Sequence, residues 1–249
     1  MKVIAVFSLK GGVGKTSVAV NLAHLLATQA KRRTLLWDLD AQGAASDLLQ
    51  VEPSKKARKL FAGSGGGDIE AYIVPSKWPG LDVLAADESL RKLDVQLVES
   101  QRAKLLAKRL AAVASEYDRV VLDCPPGFGL LADQIFRAAD LIVEPMTMSP
   151  LSARTNEQLA EHLTRHHKGE PPVIPVFTMV DKRRALHRET LEACPDVHAI
   201  PYSSKVEEMA VYCLPLAEIA PDAVETKEFS KLVTAIERKL TRPARPRKA

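Results

Sequence analysis

The 249-residue chain is poor in aromatic residues, with Trp, Tyr and Phe together making up 5%, which leaves few platforms on which nucleic-acid bases could stack. Cysteine is also scarce. The three present, Cys124, Cys194 and Cys213, are an odd number without C-x-x-C spacing, so neither a disulfide framework nor a zinc site is expected, and a reducing, cytoplasmic setting fits. No long apolar run occurs. The apolar opening Met1–Leu9 stops at Lys10 and a glycine cluster, far short of the ~18–20 residues that span a bilayer, and it lacks the layout of a secretory leader. A large excess of one sign of charge is absent too, since 35 basic against 31 acidic residues leave only +4. That small excess is local. Arg238, Lys239, Arg242, Arg245, Arg247 and Lys248 fall in the last twelve residues without an acid among them, and the rest of the chain sums to −2.

Hydrophobic residues at 46% and charged residues at 27% give a globular composition, and the length suffices for an α/β domain with a full core. Short apolar runs alternate with longer amphipathic stretches, the pattern of βαβ units around a buried parallel sheet. Strands are predicted at Lys2–Leu9, Thr34–Leu39, Leu81–Ala85, Arg119–Asp123, Leu141–Glu144 and Val173–Val180, with a weaker one at His198–Ile200. Helices are predicted at Lys15–Ala30, Ser89–Glu116 and Lys227–Leu240. The expected fold class is α/β: a doubly wound, mostly parallel sheet flanked by helices. Residues 1–240 are expected to form one domain, with Gly63–Asp68 a flexible loop inside it and 241–249 a disordered basic tail.

Directly after the first strand comes Lys10-Gly11-Gly12-Val13-Gly14-Lys15-Thr16-Ser17, and a helix follows at once. Glycines let successive backbone N–H groups turn toward phosphate oxygens, and the helix N-terminus adds partial positive charge. In such a loop Lys15 reaches the β- and γ-phosphates of a nucleotide, and the Thr16 hydroxyl is placed to ligate Mg²⁺. Two further segments carry carboxylates at strand ends, where ligands collect in open α/β sheets. One is Asp38-Leu39-Asp40-Ala41-Gln42-Gly43, whose period-two spacing aims both acids to one side. The other, Val120-Val121-Leu122-Asp123-Cys124-Pro125-Pro126-Gly127, has the form of a Walker B strand in which Asp123 holds Mg²⁺ through water.

The second lysine, Lys10, stands where the general pattern has glycine, and KGGVGKTS resembles the deviant Walker A motif of the ParA/MinD family of ATPases. The resemblance is ParA/Soj-like and extends to Gly80–Ala86, to Thr178-Met179-Val180-Asp181-Lys182-Arg183 and to Ile200-Pro201. It implies a P-loop NTPase fold, that Lys10 reaches across a dimer to the partner's nucleotide, that Asp40 orients or activates the attacking water, and that Asp38 supports the Mg²⁺ shell or the switch loop. Asp181 and Pro201 would contact the adenine. Because the family's strand pattern begins at residue 1, the operator-binding extension of larger plasmid proteins is not expected.

ParA-like proteins bind DNA without sequence preference as ATP dimers, whereas MinD-like proteins bind membrane through a C-terminal amphipathic helix. In the last helix Phe229, Leu232, Val233, Ile236 and Leu240 form a stripe that reads as core-facing, and the Arg- and Pro-rich tail offers nothing apolar to insert. DNA contact is therefore expected from Lys182, Arg183, Arg184, Arg188 and Lys205, with Lys227, Lys231 and the tail as additions. The expected activity is slow ATP hydrolysis, stimulated by a ParB-like or other partner protein, in a nucleoid-associated homodimer that uses ATP and Mg²⁺ to partition or position DNA or another cargo. A MinD-like membrane ATPase is the alternative. A cluster-bearing reductase of the nitrogenase-iron-protein type is disfavoured, because it needs paired cysteines in glycine-rich loops. Arg165-His166-His167-Lys168 reads as an exposed helix end rather than a metal site.

Overall fold

The computed structural model describes residues 1–62, 68–100 and 104–241. The predicted glycine-rich loop, apart from Asp68, and the tail beyond Thr241 lie outside the described residues. Eight strands form one sheet: β1 Lys2–Val6, β2 Thr34–Asp38, β3 Ile73–Pro75, β4 Leu81–Leu84, β5 Arg119–Asp123, β6 Leu141–Thr147, β7 Val173–Val180 and β8 His198–Pro201. Their order is β3-β4-β2-β5-β1-β6-β7-β8, and every pairing is parallel except β3 with β4. The doubly wound, mostly parallel α/β reading is borne out.

Alternation of side chains splits the core between the two sheet faces. Val3, Ala5 and Phe7 from the first strand region, with Leu35, Trp37, Val120 and Leu122, pack on one side. Ile4, Val6, Leu36 and Val121 pack on the other. The first side is covered by α3 Leu93–Ser100, α4 Leu105–Ala112, α5 Leu130–Ala138 and α6 Pro150–His167. On the second lie α1 Lys15–Thr28, the short α2 Ala44–Leu48, α8 Ser204–Tyr212, the short α9 Leu216–Ile219 and α10 Val224–Thr241. The remaining helix, α7 Ala185–Ala193, joins β7 to β8. Phe229, Leu232, Val233 and Ile236 of α10 are all buried, so that stripe faces the core as read.

Two elements depart from the expectations. The antiparallel edge strand β3 was not foreseen, because a three-residue run ending in Pro75 carries no alternation, and proline is tolerated only at such an edge. The long predicted helix Ser89–Glu116 is instead a 3₁₀ turn, Glu88–Lys92, followed by α3 and α4. Asp87 caps that turn by accepting from the Ser89 N–H at 2.7 Å, a local stop-and-start that helical composition does not reveal.

Glu144, in the middle of β6, is fully buried. Desolvation pushes its carboxyl up to about 7, opposed by the Asn156 amide that donates to it at 2.6 Å. The folded protein therefore retains a proton that the unfolded chain releases at lower pH, and stability falls as pH rises through that window. Glu144→Gln should raise the thermal midpoint at about pH 8, by at most roughly 3 kcal/mol of stability, with the gain shrinking toward about pH 5. A gain independent of pH in thermal melts would mean that the carboxyl is not the source of the penalty.

Candidate active site

The loop from Phe7 to Gly14 leaves the C-terminal end of β1, the central strand on which both halves of the sheet are built. Gly12 and Gly14 have φ of 72° and 84°, a left-handed conformation that side chains other than glycine rarely adopt. Gly14 caps α1 with no side-chain cap, and the first turn of that helix carries no acid. Its backbone N–H groups are thus left to an external anion. Val13 is buried and anchors the loop, and its carbonyl accepts from the Thr178 hydroxyl at 2.9 Å. The same hydroxyl lies 3.2 Å from the Met146 carbonyl, so Thr178 ties the loop to β6 and β7. Sequence reasoning quoted Thr178 within a motif but gave it no role, since a strand threonine has no local signal of such a bond.

The two loop lysines are linked. Lys15 is buried, and its ammonium donates to the Lys10 carbonyl at 3.3 Å. Burial pulls its pKa below the ordinary lysine range, while the charges of Asp123 and Asp40 oppose that shift. Lys10 itself is half-buried, and its ammonium makes no ion pair among the described residues. Gly11 and Gly12 are exposed, and Thr16 and Ser17 are half-buried at the start of α1.

Asp38 and Asp123 are register partners at the ends of adjacent parallel strands, so two buried carboxylates sit side by side. Asp38 accepts from the Ser46 N–H at 3.0 Å, the Ser46 hydroxyl at 2.7 Å and the Asp40 N–H at 3.2 Å. Neither oxygen of Asp123 has a hydrogen-bond partner of ordinary geometry. Burial raises the pKa of both acids. For Asp38 the bonds from Ser46 oppose the rise, while for Asp123 the negative charge of Asp38 adds to it and the Thr16 hydroxyl moderates it. Such a pair resists double ionisation unless a cation is supplied. The donor set fits Mg²⁺, because hard carboxylate and hydroxyl oxygens are what that ion takes and both oxygens of Asp123 are buried without a hydrogen bond of ordinary geometry. Ser46, which also accepts from the Ala86 N–H at 3.0 Å, is a positioning residue that sequence reasoning missed.

Asp40 differs from Asp38 in being half-exposed. It lines a cavity of about 190 Å³ together with Phe7, Pro125, Pro126 and Gly127. Cys124, between Asp123 and that turn, is fully buried, and desolvation pushes its thiol up; it is not placed to bridge a cluster across a dimer.

A second cavity, of about 70 Å³, opens beside the loop and brings Gly14 and Ser17 together with Thr178, Pro201 and Tyr202. Asp181 does not line it. Its carboxylate is clasped by Arg183, with Nε at 2.8 Å and Nη2 at 2.9 Å, and this drags its pKa down to about 2. Lys182, Arg183, Arg184, Arg188 and Lys205 are all exposed. Val180 and Pro201 are register partners, so the loop after β7 and the start of α8 emerge side by side at the same sheet edge as the phosphate-type loop. Arg188 donates to the Lys182 and Arg183 carbonyls at 3.0 and 2.9 Å, which fixes the shape of that basic loop.

Comparison with known proteins agrees with this geometry. Residues 1–173 match the family described as an AAA domain. The chain is 32% identical over 197 residues to the Myxococcus xanthus chromosome partitioning protein ParA, covering 77% of this chain and 69% of that one. It is equally 32% identical over 197 residues to the Bacillus subtilis sporulation initiation inhibitor protein Soj, covering 77% and 78%. Among solved structures, an ATP complex of a Cyanothece McdA variant superposes with a TM-score of 0.81 at 19% identity, covering 95% of this chain and 96% of that one. The chain belongs to the ParA/MinD family of ATPases, on its ParA/Soj-like side.

Proposed function

We propose that residues 1–240 form one ATPase domain that works as a dimerising switch: ATP joins two subunits, the dimer binds DNA without sequence preference, and hydrolysis releases it. The observation that carries this reading is Lys10, a lysine at the mouth of the phosphate-type loop whose carbonyl is held by Lys15 while its own ammonium makes no ion pair among the described residues. An ammonium free in this position is suited to meet the phosphates of a second subunit's nucleotide, where it would offset their charge.

Within one subunit, the backbone of Gly11, Gly12, Val13 and Gly14, with Lys15, Thr16 and Ser17, would cradle the phosphates. Thr16, Asp38 and Asp123 would hold Mg²⁺, directly or through water. When bound, the ion neutralises charge on the β- and γ-phosphates. Asp40, half-exposed beside the Pro125–Gly127 turn, would orient the attacking water. The cavity between Gly14 and Pro201 supports adenine binding at Pro201; Asp181 would join only if it released Arg183.

Lys182, Arg184, Arg188 and Lys205, joined at one sheet edge, support a phosphate-tracking DNA surface, and Arg183 adds less because Asp181 already pairs with it. Two copies double that surface, which would make DNA affinity depend on ATP. A ParB-like partner stimulating turnover and a nucleoid location belong to the same reading, with chromosome, plasmid or another cargo as the thing moved. No helix among the described residues is long and apolar enough to cross a membrane, and the apolar stripe of α10 is buried.

Lys10→Ala should keep nucleotide binding by the monomer but lose ATP-dependent dimerisation in sedimentation velocity and ATP-dependent retention of non-specific duplex DNA. A dimer that persists in Lys10→Ala would remove the lysine's role across the interface. Retention on anionic vesicles but not on DNA would favour the MinD-like alternative, and a DNA affinity insensitive to salt would contradict the phosphate contacts.

A further inference from the structure

Outside the residues of the candidate active site, three ligand-type side chains converge where α5 meets the C-terminal end of α6. Asp133 lies in the first turn of α5, and His162 and His167 lie on the last turns of α6. His162 Nε2 is 3.4 Å and His167 Nε2 3.1 Å from the same oxygen, Asp133 Oδ1, and one ligand atom from each residue falls within 4.8 Å of the others. The sequence reading of this stretch as an exposed helix end holds for His166 but not for His167, whose side chain is only 5% accessible.

We propose that Asp133, His162 and His167 form a binding site for a divalent transition-metal ion of the zinc class. Ligand atoms bonded to one ion at about 2.0–2.1 Å in a tetrahedron lie about 3.3–3.4 Å apart, close to both separations seen here. Two imidazole nitrogens with one carboxylate oxygen suit zinc-class ions and not Mg²⁺. The rings are already held in place: His162 stacks on Phe128 with centroids 4.3 Å apart and planes at 17°, and His167 meets the edge of Phe136 at 5.5 Å. Fixing the rings beforehand lowers the ordering cost of binding. Asp133, 41% accessible, and His162, 21% accessible, leave a path for the ion and room for water as a fourth ligand. Phe128 directly follows the Pro125–Gly127 turn and also stacks on Phe7, so an ion here would brace the segment that leads away from Asp123.

The test uses the full chain, stripped with chelator and kept in excess Mg²⁺ to occupy the other carboxylates. Titration with Zn²⁺ by calorimetry should give one site per chain, and Co²⁺ should give the intense visible bands of a tetrahedral nitrogen–oxygen site. His162→Gln, His167→Gln and Asp133→Asn should each weaken Zn²⁺ at least tenfold, while a Cys194→Ser/Cys213→Ser protein binds as the parent does. Zn²⁺ should also raise the thermal midpoint of the unaltered protein, a readout that does not depend on any variant folding. Absence of binding in excess Mg²⁺, an affinity unchanged from the parent in the three variants, or loss of binding with the two thiols would overturn the proposal, leaving Asp133 and the histidines as a plain hydrogen-bonded group.

Discussion

Replacing Lys15 by alanine is expected to lower ATP turnover by roughly a thousandfold, the scale seen when one preorganised donor to transition-state charge is removed. Lys15 is buried within electrostatic reach of Asp123 and Asp40, and its ammonium is held by the bond to the Lys10 carbonyl. The substitution therefore has two effects. It would remove the cation proposed to face the terminal phosphates, and it would leave the acids at the strand ends without the nearby positive charge that offsets them, so an incoming polyanion would meet repulsion. Nucleotide affinity should fall with kcat, measured by fluorescent-nucleotide titration and steady-state phosphate release. Lys15→Arg should not restore either, because a planar guanidinium does not fit a site shaped around a point charge. Turnover within about tenfold of the parent in Lys15→Ala would place phosphate binding elsewhere.

Asp40→Ala should behave in the opposite way in binding and the same way in turnover. A carboxylate that positions or deprotonates the attacking water contributes about 10²–10⁴-fold, so kcat should drop by that order while ATP affinity and the ATP-bound dimer persist. The structure separates Asp40 from Asp38 on this point. Asp38 spends its oxygens on Ser46 and on the Asp40 N–H, whereas Asp40 is half-exposed and faces the cavity beside Pro125 and Gly127. Single-turnover hydrolysis together with sedimentation in ATP checks both halves. Unchanged hydrolysis would assign the water to another group, and loss of ATP binding would make Asp40 a structural support for the loop.

Much of the phosphate-type loop was legible in the sequence because its chemistry is local. Residues 10–17 are contiguous, glycines mark the left-handed positions, and the helix that follows supplies the N–H groups whatever the rest of the fold does. The central parallel strands were equally plain, because a strand buried on both faces is an apolar run that needs no partner to be seen, whereas the short edge strand β3 was not. The basic clusters could be named but not joined, since the pairing of Val180 with Pro201 that sets them side by side is a contact between strands.

The sequence by itself determined the fold class, the phosphate-type loop and the identity of the acids at the strand ends, since each follows from short-range periodicity or spacing. Only the tertiary structure decided which groups meet. It set Asp38 beside Asp123 across two strands, gave Ser46 and Thr178 their positioning bonds, and brought His162 and His167 to Asp133. The reason is the same in each case. These contacts join separate elements, and the pull of burial on a carboxylate is set by what packs over it, which no stretch of neighbouring letters records.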